Sequence, residues 1–508
     1  MASVAELKQD LLRPQAYDPA PPAVELRETH VSLVFLAGDR AYKIKKPIRL
    51  PFLDMTDAAR REELCHEEVR LNQELAGELY LGVVPVTRGA DGTLGLDGPG
   101  ETVEHAVAMK RFPESRLVSS LLSSDEGREE IGHALPAIVE KLAAFHAAAD
   151  RADEAGSAEA IRKRILPVLK ITEQAMAPVL QRPLRAFLDA RLNEWPSLFG
   201  IRASQGYVRE GHGDLHAANI CLTENGIAIY DRLEFSRVLR CGDVAFDVAF
   251  LAMSFDMENA RELSRQLIAL YAEWTEDVDF ARLCAFYRVP RALVRANVTR
   301  MRGDAPERAR RYDRLATGYV AAPCVVLLCG LPATGKTTIA RALAAPLGAE
   351  VLRSDVVRKQ MSGMDATERW QGGMFDGPYS PAMTDRVYAR LSETMADRLD
   401  AGRSVIVDAT LRSRAYRETL IESIGSTPWL VVHLSRTDDE VHANLAARRT
   451  TSDYVSDADE AYYAAAKRTF QPPTEIAVEH LVVDDGTQDP EDVLDQIVGR
   501  LAAMRTLA

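Results

Sequence analysis

Residues 324–338 read Cys-Val-Val-Leu-Leu-Cys-Gly-Leu-Pro-Ala-Thr-Gly-Lys-Thr-Thr. The apolar run 324–328 predicts a short buried strand. Gly330 to Thr337 then matches GxxxxGK[ST] at every fixed position, and the following TIARALAAPLG predicts a helix closed by Gly348. Strand, glycine loop and helix in that order are the context the pattern requires. The glycines let backbone N–H groups turn towards phosphate oxygens, and the helix N-terminus adds positive potential. Gly330, Gly335, Lys336, Thr337 and Thr338 are therefore the expected nucleotide contacts. Lys336 is assigned to the β/γ-phosphates and the Thr337 hydroxyl to Mg²⁺.

Working outward, strands and helices alternate regularly after residue 320, as in an α/β unit with a parallel sheet. The next strand, AEVLRSDVVRK, ends in Ser354-Asp355, with Arg358 one helical turn on. Ligands of open α/β sheets bind at the carboxyl ends of strands. Asp355 is thus placed to take a proton from a substrate hydroxyl, and Arg358 to orient that substrate. A further strand, SVIVDAT, ends in Asp408, a candidate for the Mg²⁺ site or a substrate contact. Ser380, Pro381 and Gly402 punctuate a helix whose residues Met383, Val387, Leu391, Met395 and Leu399 form one buried stripe. The loop WQGGMFDGPYS before it is a candidate for substrate recognition. Arg448 and Arg449 precede a polar stretch, where an arginine would stabilise charge on the transferring phosphoryl group as a lid.

GLPATGKT, SD..R, VIVDAT and an Arg ahead of Ser-Asp-Ala together resemble the small P-loop kinases: gluconate kinases, zeta toxins and polynucleotide 5′-kinases. The resemblance spans 323–508. It implies Asp355 as general base and Arg448 in the lid. Such lids often carry a second basic residue one turn earlier, where this chain has Asn444.

A second constellation lies upstream. Residues 212–219 read His-Gly-Asp-Leu-His-Ala-Ala-Asn, and Asp231 follows in GIAIYDRLEF. Phosphoryl transfer needs a carboxylate near the attacking hydroxyl and oxygen ligands for Mg²⁺. Asp214 fits the first role, and Asn219 and Asp231 the second; His212 is expected to brace the loop. Two strands, 31–37 and 40–45, joined at Gly38-Asp39, predict a hairpin. Alternation puts Lys43 and Lys45 on one face; Lys43 is preferred as the phosphate lysine, with Lys45 and Lys46 as alternatives. The next helix offers Glu68, or else Glu67, as its partner. VAMKRFPE, with Met109, would pass the adenine edge. Arg288, Arg291 and Arg295 share one helical face, either for an anionic substrate or as a solvated, salt-bridged surface.

YKIKKP, HGDLHAANI, YDRLEF and CGDVAFDVAFL resemble the aminoglycoside phosphotransferase-like, protein-kinase-like family over 25–302. The resemblance implies Asp214 as base, Asn219 and Asp231 on Mg²⁺, and Asp243 buttressing the catalytic loop, with Asp247 a turn later. Gly213 replaces the arginine of protein kinases, Arg232-Leu233 replace Phe-Gly, and no GxGxxG lies near the N-terminus. These departures favour a small-molecule kinase over a regulated protein kinase.

A length of 508 residues suggests two or three domains, and 47% hydrophobic with 27% charged residues is an ordinary globular mix. The expected divisions are a loosely ordered segment 1–24, a kinase-like domain 25–302, a linker helix 303–322 and a P-loop domain 323–508. The resemblances imply an α+β protein-kinase-like fold followed by an α/β P-loop kinase fold with a parallel sheet. A net charge of −13 argues against nucleic-acid and anionic-membrane partners. Six cysteines without a CxxC pair, no secretory h-region and no long apolar run lead to the expectation of a reduced, cytoplasmic chain. The expected activity is ATP- and Mg²⁺-dependent transfer of a phosphoryl group to a hydroxyl of a small molecule: a sugar, an aminoglycoside-like or a nucleotide-like acceptor. The alternatives are one regulatory nucleotide-binding module beside one catalytic module, or a nucleic-acid 5′-end kinase in the C-terminal part.

Overall fold

The computed structural model describes residues 2–50, 53–303, 305–365, 368, 370, 376–448 and 459–507. The chain forms two compact units. The first is Met1–Leu166 with Trp195–Arg291, and the second is Pro167–Glu194 with Ala292–Ala508.

The first unit is α+β. Its antiparallel sheet runs in the order Val24–Glu28, Ser32–Ala37, Arg40–Lys45, Glu101–Lys110, Tyr80–Arg88, Leu94–Leu96. The predicted hairpin is present: Ala37 pairs with Arg40 across Gly38-Asp39, with Gly38 at φ +64°. Alternating side chains send Leu33, Phe35, Tyr42 and Ile44 into one apolar cluster. Residues 2–17, expected to be loose, instead complete that cluster. A helix Val4–Leu11 starts at a reciprocal Ser3/Glu6 capping box and buries Leu7 and Leu11. Its two apolar positions four apart make a short signal next to the Pro/Ala-rich stretch that follows. The helix Ala58–Ala76 crosses the sheet and carries Glu68 inward. Below it, helices surround Val244–Met257, which is buried on nearly every side.

The second unit is α/β. Its five parallel strands run in the order Ala349–Arg353, Ser404–Asp408, Val325–Cys329, Trp429–Leu434, Leu481–Asp484. Val325–Cys329 is central and wholly buried, as its unbroken apolar run requires. The helix Pro381–Asp400 starts at Ser380, whose hydroxyl accepts the Met383 N–H, and Val387, Leu391 and Met395 pack in the core. Pro306–Ala321, in the segment expected as a linker, packs within this unit: Arg314 binds Asp495 at 3.1 Å and Glu491 at 2.7 Å on the helix Pro490–Leu507. Pro178–Glu194 joins the same layer through buried Leu180, Leu184, Leu188 and Leu192. No helix among the described residues is long and apolar enough to cross a membrane. All six cysteines are buried and free.

Candidate active sites

In the first unit the strand Arg40–Lys45 and the helix Ala58–Ala76 bring Lys43 to Glu68. The ammonium donates to Glu68 Oε1 at 2.8 Å and to Asp231 Oδ1 at 2.7 Å. Glu68 is fully buried, whereas the Asp231 side chain is 42% exposed. Burial alone would raise the Glu68 carboxyl, but the two ammoniums of Lys43 and Lys45 hold it down at about 2. Glu67, the alternative partner, turns away to Arg70 and Arg240. Lys45 also reaches Glu68, at 2.6 Å, and pairs with Glu234. Lys46 leaves the cluster and bonds the Thr29 carbonyl at 2.7 Å. Met109 lies on the strand Glu101–Lys110, opposite Ala41 and Tyr80.

The loop 212–219 is fixed from several sides. His212 is buried, and burial pushes its imidazole down to about 4. Its Nδ1 accepts the Asp214 N–H at 3.3 Å, so Nε2 is the donor, to the Tyr230 carbonyl at 3.1 Å. His212 is thus a neutral brace. His216 is held the same way: Nδ1 accepts the Ala218 N–H, and Nε2 faces Asp214 Oδ2 at 3.5 Å. Asn219 donates its amide to the Asp214 carbonyl at 3.0 Å, which leaves its side-chain oxygen as an acceptor. The Tyr230 N–H and hydroxyl bond Asn219 and Ala218, and Asp231 follows at φ +63°. Gly213 has φ +86°, and a Cβ there would stand 2.9 Å from the Arg240 Cβ. An arginine at this position has neither the conformation nor the room.

The loop's buttress is Asp247, not Asp243. The Asp247 carboxylate accepts the N–H groups of His212 and Gly213 and pairs with Arg291 at 3.3 Å. Asp243 instead caps the helix Val244–Met257 and binds Arg202. The two carboxylates share a helix start, so spacing alone did not separate their tasks. Arg291 is neither a substrate contact nor solvated. It is buried, donates to the carbonyls of Gly213 and Phe246 and lies 3.5 Å from the Phe246 ring centroid. Arg288 pairs with buried Asp256 at 3.0 Å. Arg232 fills the place expected of an aromatic side chain and binds Glu74 and the Gly211 and Glu210 carbonyls.

In the second unit the glycine loop follows its strand directly. A Cβ on Gly330, at φ +152°, would meet the Leu434 carbonyl oxygen at 2.3 Å, so only glycine fits. Gly335, at φ +100°, precedes the helix Lys336–Leu347, which carries Thr338 in its first turn. Lys336 donates to the carbonyls of Gly330 and Leu331 at 2.9 and 2.8 Å. The Thr337 hydroxyl donates to Asp408 Oδ2 at 2.7 Å, and Arg353 lies 3.6 Å from the same oxygen. A hydroxyl and a carboxylate at the strand end are hard oxygen donors that suit Mg²⁺; so are Asn219 and Asp231 in the first unit. Asn444 donates to the Ala333 carbonyl at 3.0 Å and so steadies the loop from the helix Asp438–Arg448.

Asp355 lies in the first turn of the helix Ser354–Met361, which has no side-chain cap. Burial and the Asp355 charge raise the nearby Tyr462 phenol. Arg358 is buried, and its guanidinium binds the Pro378 carbonyl at 2.7 Å and Thr384 at 3.1 Å beneath the Tyr379 ring. That arrangement makes it a brace for 378–384. Arg448 ends the helix Asp438–Arg448; its side chain, Arg449 and residues 371–375 of the loop 370–380 lie outside the described residues.

Sequence reasoning missed the roles of Glu234, His216 and Asn444. Glu234 and His216 sat inside quoted motifs; the Glu234 partner, Lys45, is far along the chain, whereas His216 bonds within its own loop, to Ala218 and Asp214.

Residues 49–286 match the family model described as "Phosphotransferase enzyme family", and residues 325–473 the model described as "AAA domain". Uncharacterized proteins from Mycobacterium tuberculosis and Mycobacterium bovis are 33% identical over 403 residues, covering 77% of this chain and 78% of theirs. Among solved structures, a gluconokinase from Sinorhizobium meliloti 1021 aligns at 18% identity and TM-score 0.26, over 36% of this chain and 91% of that one. A choline/ethanolamine kinase family protein from Mesorhizobium loti aligns at 13% identity and TM-score 0.37, over 68% of this chain and 100% of that one.

Proposed function

Because the chain belongs to the family of those mycobacterial proteins and joins an aminoglycoside phosphotransferase-like domain to a P-loop kinase-like domain, we propose that it is a two-site kinase. Each site uses ATP and Mg²⁺ and acts on a hydroxyl of a small molecule. The observation that carries this is the Lys43–Glu68–Asp231 cluster beside the Asp214–Asn219 loop. It supplies a phosphate-binding cation, oxygen ligands and a base within one site.

In the first site Lys43 binds ATP phosphate oxygens while Glu68 keeps the ammonium in place. Asn219 and Asp231 hold Mg²⁺, which would neutralise phosphate charge when bound. The acceptor oxygen bonds to the γ-phosphorus as the bond to the β,γ-bridging oxygen breaks. ADP leaves, and the acceptor proton passes to Asp214, steadied by His216. In the second site the glycine loop and Lys336 hold the phosphates, and Thr337 with Asp408 holds Mg²⁺. Asp355 takes the proton, Arg358 positions 378–384, and Arg448 serves the lid.

The test is a screen of metabolite pools and aminoglycosides with labelled ATP, run on wild type, Asp214→Ala and Lys336→Ala. Each variant is expected to lose a different labelled product. If neither change lowers phosphate transfer, the kinase reading is wrong.

A further inference from the structure

Lys45 takes no part in the chemistry above, yet it is the most buried lysine of the 43–46 strand end: its side chain is 2% exposed, against 15% for Lys43. Its ammonium is divided between Glu68 Oε2, at 2.6 Å, and Glu234. Glu68 is divided in turn, with Oε1 on Lys43 and Oε2 on Lys45. Lys43 is divided again, between Glu68 and Asp231. The outcome is an unbroken series, Asp231–Lys43–Glu68–Lys45–Glu234. Its two ends lie three residues apart on one segment. Three carboxylates face two ammoniums, so the cluster carries one excess negative charge, at a place where Asp231 is open to solvent.

We propose that Lys45 and Glu234 are positioning residues. They set how strongly Lys43 leans on Asp231, and therefore how readily Asp231 is released to a divalent cation. This rests on the kinase reading of the first unit. The sign follows from sharing within a poorly solvated network, where each partner draws on the next. Without the Glu234 charge, Lys45 draws fully on Glu68. Glu68 then offers less to Lys43, Lys43 tightens on Asp231, and a cation must compete harder. Without the Lys45 charge, Glu68 serves Lys43 alone, Asp231 is released, and the cluster gains a further negative charge. The two removals therefore act in opposite directions on the metal. A pair that merely braced the fold would lower stability in both cases and leave the metal dependence unmoved.

The experiment uses the full chain in a Lys336→Ala background, so that binding reports the first unit. A fluorescent ATP analogue is titrated at a series of Mg²⁺ concentrations, and the unfolding midpoint of each apo variant is recorded. Glu234→Gln is expected to raise the Mg²⁺ concentration for half-maximal nucleotide binding about threefold to tenfold, and Lys45→Met to lower it by a similar factor. The double variant should keep the sign of the Lys45→Met shift, because Glu234 reaches the series only through Lys45, whereas Glu234→Asp and Lys45→Arg should stay close to the background value. Shifts of the same sign in the two single variants, or none while nucleotide still binds, would overturn the inference. If Lys45→Met does not fold, failure of Glu234→Asp to reverse the Glu234→Gln shift overturns it equally. A background protein that binds no nucleotide at all overturns the proposed function of the first unit, and this inference with it.

Discussion

Asp247→Asn is a sharp test of how the first site is held. The carboxylate accepts two backbone N–H groups, those of His212 and Gly213, and faces Arg291. A carboxamide has one oxygen, so it keeps at most one of these bonds and turns an NH₂ towards the other N–H. Arg291 retains the carbonyls of Gly213 and Phe246 but loses its counter-ion while buried. Breaking a buried charge pair costs about 3–5 kcal/mol. An unmade bond to a buried N–H costs about 1–3 kcal/mol. The groups share one environment, so these do not simply add, and the expected loss is about 4 kcal/mol. A chain of two compact units need not unfold in one transition, so a global midpoint is a poor reading. Hydrogen exchange of the peptide 208–219 reports the first unit alone. Within it, residues 212–219 should lose more protection in Asp247→Asn than in Asp243→Asn, where the Arg202 pair and the strand facing Val208 are affected instead. A loss under about 1 kcal/mol, with unchanged exchange at 208–219, would refute the buttress assignment. The acid limb offers a second check. Burial pushes the Asp247 carboxyl up, but His146, 3.5 Å away, and the Arg291 charge more than offset this and hold it well below the usual range. A carboxyl depressed on folding contributes stability above its unfolded value, about 3.9, that is lost as pH falls through the folded one. The pH dependence of exchange below pH 4 should therefore flatten in Asp247→Asn.

Further outcomes follow from the same geometry. His212 falls on folding from 6.5 to about 4, so the unfolded state binds the extra proton between those values. Stability of the first unit should drop by on the order of 3 kcal/mol as pH falls through that window, and His212→Asn should remove that slope. Gly330→Ala drives a Cβ to 2.3 Å from the Leu434 carbonyl, and ligand-induced thermal stabilisation by ATP at the second site should vanish. Asp408→Asn should weaken Mg²⁺-dependent but not Mg²⁺-free nucleotide binding there, read by calorimetry. Ser3→Ala opens the capping box and should cost about 1 kcal/mol, measured by urea unfolding.

What was legible in the sequence was whatever chemistry writes into a short window. The glycine loop, the D-x4-N spacing and Lys43 on its hairpin face are local patterns, and each occupies the predicted element. The Asp243–Asp247 choice was not local. It depends on which carboxylate the 212–213 backbone meets, a contact made 34 residues away. Likewise, Arg288 and Arg291 read as a substrate contact or a solvated face, because helical spacing shows a shared face but not what covers it. Asp256, Phe246 and Phe250 cover it here. The amino-terminal helix is masked in the composition by the prolines that follow it, and its signal is the short Ser3–Glu6 cap.

Burial, more than charge, decides which cations in the first unit are available to a ligand. Arg202 with Asp243, and Arg291 with Asp247, have both ends at 5% exposure or less. Withdrawing either partner would strand a charge away from water, so these pairs stay closed. Lys43 differs because its two carboxylates are unlike: Glu68 is sealed and Asp231 is 42% exposed. Water screens the Lys43–Asp231 contact and weakens it relative to the Lys43–Glu68 contact. An incoming phosphate and cation can then divide that pair between them, the phosphate taking Lys43 and the cation taking Asp231, while Glu68 keeps the ammonium in register. The global charge of −13 carries no information on this point. The asymmetry across a single lysine does: on the proposed kinase reading it suits Lys43 to a ligand contact, while the neighbouring arginines stay paired as structure.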